Sequence, residues 1–341
     1  MSSIPVKQIH LELSSRCNSA CQLCPRYTIQ DGFYTKSPLL VEQDLPLGLL
    51  EDLVAHPVLS HTDKWLLCGN LGEPMMHPQI VEIVDLLIQR KPRWLTIHTN
   101  GGMGTVDMWR DLGRLLPETK GQIIFSLDGL EDTNHLYRRN VNWDAVMRNA
   151  QAFIAAGGNA VWKFIDFEYN HHQIESARSL AAQLGFARFA VDKNSSWPLQ
   201  PEPSLEYRHR IPTDLLPLDA SFDAEAANAE WRKPTVLDCE HLKYSTVYVD
   251  AQAKVWPCCH LVTVLSHGDP ARRAVGRRCL IDPYGEDWND LKQHDIGSIL
   301  GNAYWMDLYA TLPHNTGIYK CSHSCGTNPV RTRERDMQPL K

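Results

Sequence analysis

The sequence predicts an α/β protein built on a parallel sheet and followed by a smaller C-terminal unit. Two observations carry this. Short β-like runs alternate with amphipathic segments from residue 6 to about 192. Around 194–235 the chain turns to "NSSWPLQPEPSLEYRHRIPTDLLPLDASFDAE", dense in Pro and polar residues and without period, and six of the ten cysteines lie beyond it.

The strands are read in order as "VKQIHLEL" (6–13), "KWLLCG" (64–69), "RWLTIHT" (93–99), "GQIIFSL" (121–127), "VWKFIDFEY" (161–169) and "FARFAVD" (186–192). Helical patterns fill the gaps. In "HPQIVEIVDLLIQR", Ile80, Ile83, Val84, Leu87 and Ile88 recur at three- and four-residue spacing and share one face. "NWDAVMRNAQAFIAAGG" opens on Asn142 as an N-cap and stops at Gly157, and "HHQIESARSLAAQLG" ends in the same way at Gly185. Six strands with crossovers of this kind form a parallel sheet, either open and doubly wound or closed toward a barrel. The resulting division is a first domain over 1–195, a linker over 196–235 and a second domain over 236–341, where "STVYVDAQAKVWPCC" reads as a hairpin turning at "DAQA". The chain has no internal repeat and no low-complexity tract.

With 341 residues the chain is long enough for one large domain and one small one. A net charge of −6 and a pI near 6.2 argue against nonspecific nucleic-acid binding. The start "MSSIPVKQIHLEL" has no signal-peptide character, and no apolar run is long enough to span a bilayer, so neither nucleic acid nor membrane is expected as a partner and the cytoplasm is the expected compartment. In a reducing compartment ten cysteines are poor disulfide candidates, which points those that cluster toward metal or redox chemistry.

Three of them crowd into "SSRCNSACQLCPR", at Cys17, Cys21 and Cys24, directly after the first strand. A structural zinc ion asks for four ligands, whereas three thiolates on one loop hold three irons of a cubane and leave the fourth iron open to a substrate. Ordered companions follow at later strand ends: "CGNLGEP" with Gly72 and Glu73, "HTNGG" with Thr99 and Asn100, "FSLDGL" with Ser126 and Asp128, then "HLYRR" with Arg138.

This set resembles the radical S-adenosylmethionine superfamily, whose signature is a CxxxCxxC loop after the first strand. The resemblance implies a partial (β/α)6 TIM-like barrel with a 4Fe–4S cluster on Cys17, Cys21 and Cys24 at the carboxyl ends of the strands. It also implies that the open iron chelates S-adenosylmethionine, that one electron passes to the sulfonium, and that a 5′-deoxyadenosyl radical takes a hydrogen atom from a substrate. By the same resemblance Gly72 lets the backbone approach, Glu73 accepts from the ligand's amino group, and Thr99 and Asn100 line the site. Ser126 and Asp128 meet the ribose hydroxyls, Arg138 pairs with the methionine carboxylate, Leu23 touches the adenine, and Asn170 follows the fifth strand. Simpler readings stand beside these. The loop is half a zinc site completed from afar, Glu73 a solvated acid, Ser126 and Asp128 turn formers before Gly129, and Arg139 an equal claimant to the role of Arg138. His171 and His172 read as a solvated helix start.

Downstream, Cys239, the "PCC" at Cys258 and Cys259, and the distant CxxxC of Cys321 and Cys325 resemble the SPASM and twitch domains appended to many such enzymes. The series for two full auxiliary clusters is missing, so the resemblance implies one auxiliary 4Fe–4S cluster on Cys239, Cys258, Cys321 and Cys325, a twitch/SPASM-like Fe–S domain. Spacing alone does not separate Cys258 from Cys259, and a structural zinc knot satisfies four thiolates equally. The plan resembles twitch-bearing enzymes of the butirosin aminocyclitol dehydrogenase type. Cys68, Cys259 and Cys279 remain as inert thiols or, in an epimerase, as hydrogen donors. Cys279 lies in "SHGDPARRAVGRRCLIDPYGEDW", read as a solvated insertion whose arginines offer an anion site.

The function expected is a two-electron oxidation of a small polyhydroxylated or amino-sugar-like metabolite, served by an external one-electron reductant of flavodoxin or ferredoxin type. An alternative is a peptide-modifying enzyme that epimerises or crosslinks a ribosomal peptide. Against it, the first strand starts near residue 6, which leaves no peptide-recognition domain before the barrel unless a partner protein supplies one. A non-catalytic two-cluster electron carrier is a further alternative; it has no need of Glu73, Ser126, Asp128 and Arg138 at strand ends.

Overall fold

The computed structural model describes residues 5–21, 24–30, 33–193, 237, 239–265, 270–311, 321, 325 and 334–340. After β1 (Gln8–Leu11) comes an antiparallel hairpin of β2 (Tyr27–Gln30) and β3 (Phe33–Lys36), then α1 (Leu47–Ala55) and β4 (Lys64–Leu67). From there helix and strand alternate: α2 (Ile80–Gln89), β5 (Trp94–Thr99), α3 (Val106–Leu115), β6 (Gln122–Ser126), α4 (Asn134–Tyr137), α5 (Trp143–Ala155), β7 (Ala160–Asp166), α6 (Ile174–Leu184) and β8 (Arg188–Lys193). Strands β1, β4, β5, β6, β7 and β8 pair in that order and all run parallel. This is the partial (β/α)6 barrel, and its six strands match the runs read from the sequence, with β7 starting and β8 ending one residue outside theirs.

Local chemistry explains the helix ends. Asn142 caps α5 by accepting the Ala145 N–H at 2.8 Å. Gly185 ends α6 in the left-handed region at φ +85°, where a side chain would be strained. Helix α6 starts one turn later than the sequence suggests, because His171–Gln173 form a 3₁₀ turn before it.

Side chains alternate across the sheet, so each strand has one face for the helices and one for the barrel interior. Phe125, Trp162, Phe164 and Phe189 are fully buried on the helix side. Trp109 of α3 stacks on Phe125 with ring centroids 5.3 Å apart, and Phe153 of α5 meets both. The opposite face carries Thr96, His98, Ser126, Lys163 and Asp192, all half-buried. A polar face toward the interior beside an aromatic one toward the helices is a division of labour between site and core.

The C-terminal region contains α7 (Glu240–Tyr244), β9 (Thr246–Val249), β10 (Val255–Trp256), α8 (Cys259–Leu265), α9 (Pro270–Leu280), α10 (Ile296–Leu300), α11 (Ala303–Thr311) and β11 (Glu334–Pro339). The "DAQA" hairpin is present, with Asp250 accepting from the Gln252 and Lys254 N–H groups and from the Trp256 indole. Strand β9 lies parallel to β1, β10 antiparallel to β9, and β11 antiparallel to β8, so this region lengthens the sheet at both edges to nine strands. Residues 270–280, read as part of a solvated insertion, are helical. Arg277 there pairs with Glu286 and Asp282, which occupies it without an anion. The linker over 196–235 lies outside the described residues. No helix among the described residues is long and apolar enough to cross a membrane.

The Asn142 cap gives a direct check of helix placement. Asn142→Ala is expected to cost about 1 kcal/mol of stability and Asn142→Gly only a few tenths, measured as shifts in the urea unfolding midpoint.

Candidate metal centre

The three-cysteine loop leaves β1 under tight anchorage. The Ser14 hydroxyl donates to Asp44 at 2.6 Å and the Ser15 hydroxyl to the Val41 carbonyl at 2.7 Å. Arg26, 2% exposed, donates to the Ser15 and Leu71 carbonyls and pairs with Glu42 at 2.5 Å. One guanidinium therefore ties the loop to the turn after β4. Gly72 in that turn has no room for a side chain, since a Cβ would lie 1.8 Å from the Ser14 carbonyl oxygen. Its smallness serves backbone against backbone at the base of the loop.

Cys21 is buried, while Cys17 and Cys24 are half-buried. The Ser19 hydroxyl lies 2.9 Å from the Cys21 Sγ, and the Ser19 N–H donates to the Cys17 Sγ at 3.4 Å. Burial pushes the Cys17 thiol up to about 12 and the Cys24 thiol up to about 11, with Glu73 the next cause at Cys17. A thiol so desolvated ionises only when a cation takes the place of its proton.

One cation is already aimed at the loop. Arg138 Nη1 lies 3.7 Å from the Cys21 Sγ, and its Nε donates to Asp128 Oδ2 at 2.7 Å. Asp128 is fully buried at the end of β6, and its second oxygen accepts the Ile165 N–H at 2.7 Å. Both carboxylate oxygens are thus engaged within the chain. Asn170 closes the arrangement, accepting the Phe167 N–H and donating to the Asp128 and Ile165 carbonyls. The neighbouring Arg139 acts through its carbonyl, which accepts the Ala20 N–H and the Ser19 hydroxyl, so the two adjacent arginines brace the loop differently.

On the other side, Glu73 is 4% exposed; its carboxylate accepts the Asn100 N–H at 2.8 Å and the Met75 N–H at 3.3 Å and hydrogen-bonds Thr99. Burial raises its pKa above the ordinary glutamate value. Asn100 in turn reaches the Cys17 Sγ at 3.9 Å and Asn18 at 2.9 Å. The structure therefore gathers Cys17, Cys21, Cys24, Glu73, Thr99, Asn100, Asp128, Arg138 and Asn170 at one end of the barrel. Ser126 stands half-buried at the end of β6. Leu23 lies outside the described residues.

Of the later cysteines, Cys258 is pushed well above its ordinary value by burial first, then by the charges of Cys259 and Cys321. Tyr304 feels Cys321, Cys258 and Cys279, and Tyr309 feels Cys239. The Cys259 carbonyl accepts from Asn70 at 3.0 Å, and the Cys259 charge helps push the Cys68 thiol up to about 12, behind burial. Cys325 is half-buried, with 322–324 and 326–333 outside the described residues. Among the described residues no three His, Cys, Asp or Glu side chains close on a single metal ion. A cubane asks for something else, one thiolate at each of several irons, and the donor set of the first loop fits that chemistry.

Sequence reading missed Arg26, Glu12 and Tyr248. Glu12, 1% exposed, accepts the Leu71 N–H and the Tyr248 hydroxyl. A charged residue directly after the first buried strand, within the apolar run over 6–13, was the available signal.

Residues 11–171 match the family model described as "Radical SAM superfamily". The chain is 30% identical over 125 residues to the "tungsten-containing aldehyde ferredoxin oxidoreductase cofactor-modifying protein" of Pyrococcus furiosus, a match covering 37% of this chain and 32% of that one. The chain thus spans about a third of the length of this curated relative. In fold it is similar to Streptococcus suis SuiB bound to the precursor peptide SuiA, with a TM-score of 0.55 and 12% identity over 93% of this chain and 71% of that one. It is similar also to anSMEcpe with bound AdoMet, with a TM-score of 0.51 and 13% identity over 88% and 78% of the two chains.

Glu12 generates a prediction with a definite sign. Burial raises its pKa to about 7, above that of the unfolded chain, so its contribution is complete at low pH and is lost as pH rises through 7. Between pH 6 and 8 the unfolding free energy is expected to fall by about 1 kcal/mol from this group. Glu12→Gln keeps an acceptor for Leu71 and cannot ionise, so its unfolding midpoint should be flatter across that range.

Proposed function

Taking as premise that residues 11–171 are a radical SAM domain, we propose that this chain is an enzyme that oxidises a small polyhydroxylated or amino-sugar-like metabolite by two electrons. The observation that carries the reading is the Cys17, Cys21 and Cys24 loop facing an arginine fixed at 2.7 Å by a buried aspartate. When bound on that loop, a 4Fe–4S cluster with S-adenosylmethionine supplies a 5′-deoxyadenosyl radical that takes hydrogen from a substrate carbon.

The chain's own residues prepare for this. Cys17, Cys21 and Cys24 would hold such a cluster by three of its irons and would leave the fourth iron to the methionine amino and carboxylate groups. Arg138, with its Nε spent on Asp128, offers the outer face of its guanidinium to that carboxylate. Because both Asp128 oxygens are engaged, Ser126 is the strand-end hydroxyl for the ribose and Asp128 acts by orienting Arg138. Glu73 spends its carboxylate on the Asn100 N–H and so fixes the strand end beside Cys17.

Cys239, Cys258, Cys321 and Cys325 are assigned to one auxiliary 4Fe–4S cluster that accepts the second electron. Choosing Cys258 over Cys259 follows the resemblance, and the charge of Cys321 felt at Cys258 is in keeping with it, although Cys258 feels Cys259 more strongly. Cys68, Cys259 and Cys279 stay candidates for returning hydrogen to a substrate; the charge of Cys279 is felt by Tyr284 and Tyr304, and that of Cys259 by Cys68. The reaction is assigned to the cytoplasm, with a flavodoxin- or ferredoxin-type reductant. Peptide modification is the second reading, favoured by the SuiA peptide bound to the fold relative SuiB.

Anaerobically reconstituted protein with dithionite and S-adenosylmethionine is expected to release 5′-deoxyadenosine, and Cys21→Ser is expected to release none. Iron is expected near about eight per chain and to fall to about four in the Cys239→Ala, Cys258→Ala double variant. Release by the wild type equal to that of Cys21→Ser would refute the reading. Deuterium passing into 5′-deoxyadenosine from a perdeuterated amino polyol, and not from a deuterated peptide, separates the two substrate classes.

A further inference from the structure

Of the three loop thiols Cys21 is the buried one, 7% exposed, so hydrogen bonds to its sulfur come from the chain rather than from water. Two donors reach it. Arg138 Nη1 stands at 3.7 Å and the Ser19 hydroxyl at 2.9 Å. The arginine is already assigned to the methionine carboxylate, whereas no ligand role falls to Ser19. That serine is 4% exposed and sits inside the loop, between Cys17 and Cys21. Its N–H also points at the Cys17 Sγ, at 3.4 Å, so one residue addresses two of the three sulfurs.

The Ser19 hydroxyl has one hydrogen and two acceptors within reach, the Cys21 Sγ at 2.9 Å and the Arg139 carbonyl at 3.2 Å. While Cys21 is a thiol, its own S–H gives to Ser19 Oγ and the hydroxyl gives to Arg139. A metal-bound thiolate has no hydrogen to give, and its charge makes it the stronger acceptor, so the hydroxyl turns to the sulfur. The Arg139 carbonyl keeps the Ala20 N–H at 3.0 Å, and no buried acceptor is left unpaired by the exchange.

We propose that Ser19 raises the reduction potential of the cluster through an O–H···S bond to the Cys21 sulfur, a bond that strengthens when the cluster takes up an electron. The inference rests on the reading that Cys17, Cys21 and Cys24 hold a 4Fe–4S cluster. Reduction places more negative charge on the cluster and its thiolates, so a donor fixed at a buried sulfur stabilises the reduced form more than the oxidised one. The electron offered by a flavodoxin- or ferredoxin-type reductant is then accepted with less opposition. Ser19 acts through the sulfur and touches no substrate, so its effect is read on the cluster before any turnover.

The test is a redox titration of the anaerobically reconstituted full chain, followed by electron paramagnetic resonance on the reduced-cluster signal that changes when S-adenosylmethionine is added. In Ser19→Ala the reduction equilibrium constant is expected to fall by about tenfold, a downward shift of ~59 mV for one electron. Ser19→Thr keeps the hydroxyl and should titrate like the wild type. Ser19→Val has the shape of the threonine without its hydroxyl, so a lower midpoint than Ser19→Thr carries the test where the alanine variant fails to hold iron. Electron–nuclear double resonance on the wild type reduced in deuterated water should show an exchangeable hydrogen coupled to the cluster, retained in Ser19→Thr. A midpoint unmoved in Ser19→Ala, equal midpoints in the threonine and valine variants, or no exchangeable coupling in the wild type would each overturn the proposal. A wild type with no signal that responds to S-adenosylmethionine would sink the cluster reading itself, whereas a responding signal with an unmoved midpoint would sink this assignment alone.

Discussion

The charge-assisted bond between Asp128 and Arg138 sets the geometry at the mouth of the barrel. A carboxylate with no exposure is costly to keep ionised unless every oxygen is met, and here a guanidinium and a backbone N–H from the next strand meet both. The arginine is held from behind by the ends of β6 and β7, so its direction toward Cys21 does not wait for a ligand. Asn170 repeats the principle with neutral bonds, spending its amide on the backbone of those same strands. Polar groups that could have faced solvent are used to make a rigid frame.

A second polar chain runs from the C-terminal hairpin to the cysteine loop. Tyr248 on β9 donates to Glu12, which also accepts the Leu71 N–H; two residues on, Glu73 accepts the Asn100 N–H, and Asn100 reaches Cys17. His10 extends the contact, with its ring edge-on to Tyr248 at 4.8 Å and its Nε2 2.7 Å from the Cys68 carbonyl. The first strand thus carries polar groups on its interior face because the later strand docks against them. The two halves of the chain are wired together at the level of single hydrogen bonds.

The six barrel strands were legible as short aliphatic, aromatic and β-branched runs, alternating buried with less buried residues in β4, β5 and β6 but nearly continuously buried in β1 and β7, and the caps at Asn142 and Gly185 were legible because their chemistry is local. The cysteine loop and its strand-end companions were legible as a pattern, but their division of work was not. Asp128 reads as a sugar-binding acid until Arg138 and the Ile165 N–H are seen on its two oxygens, and Gly72 reads as a ligand approach until the Ser14 carbonyl is seen beneath it. The β2–β3 hairpin has a local signal of its own, the Asp-Gly pair in "YTIQDGFYTK". Pairing of β9 with β1 was invisible, since partners more than two hundred residues apart share no local signal.

That long-range pairing bears on how the protein is made. Strand β1 is made well before β9, yet β9 is one of its two neighbours in the sheet, and β8 gains its outer neighbour from Glu334–Pro339. While translation continues, both margins of the nascent barrel present unpaired backbone, and the cysteine loop hangs from one of them. A sheet with both margins sealed therefore exists only once Thr246–Val249 and Glu334–Pro339 are in place.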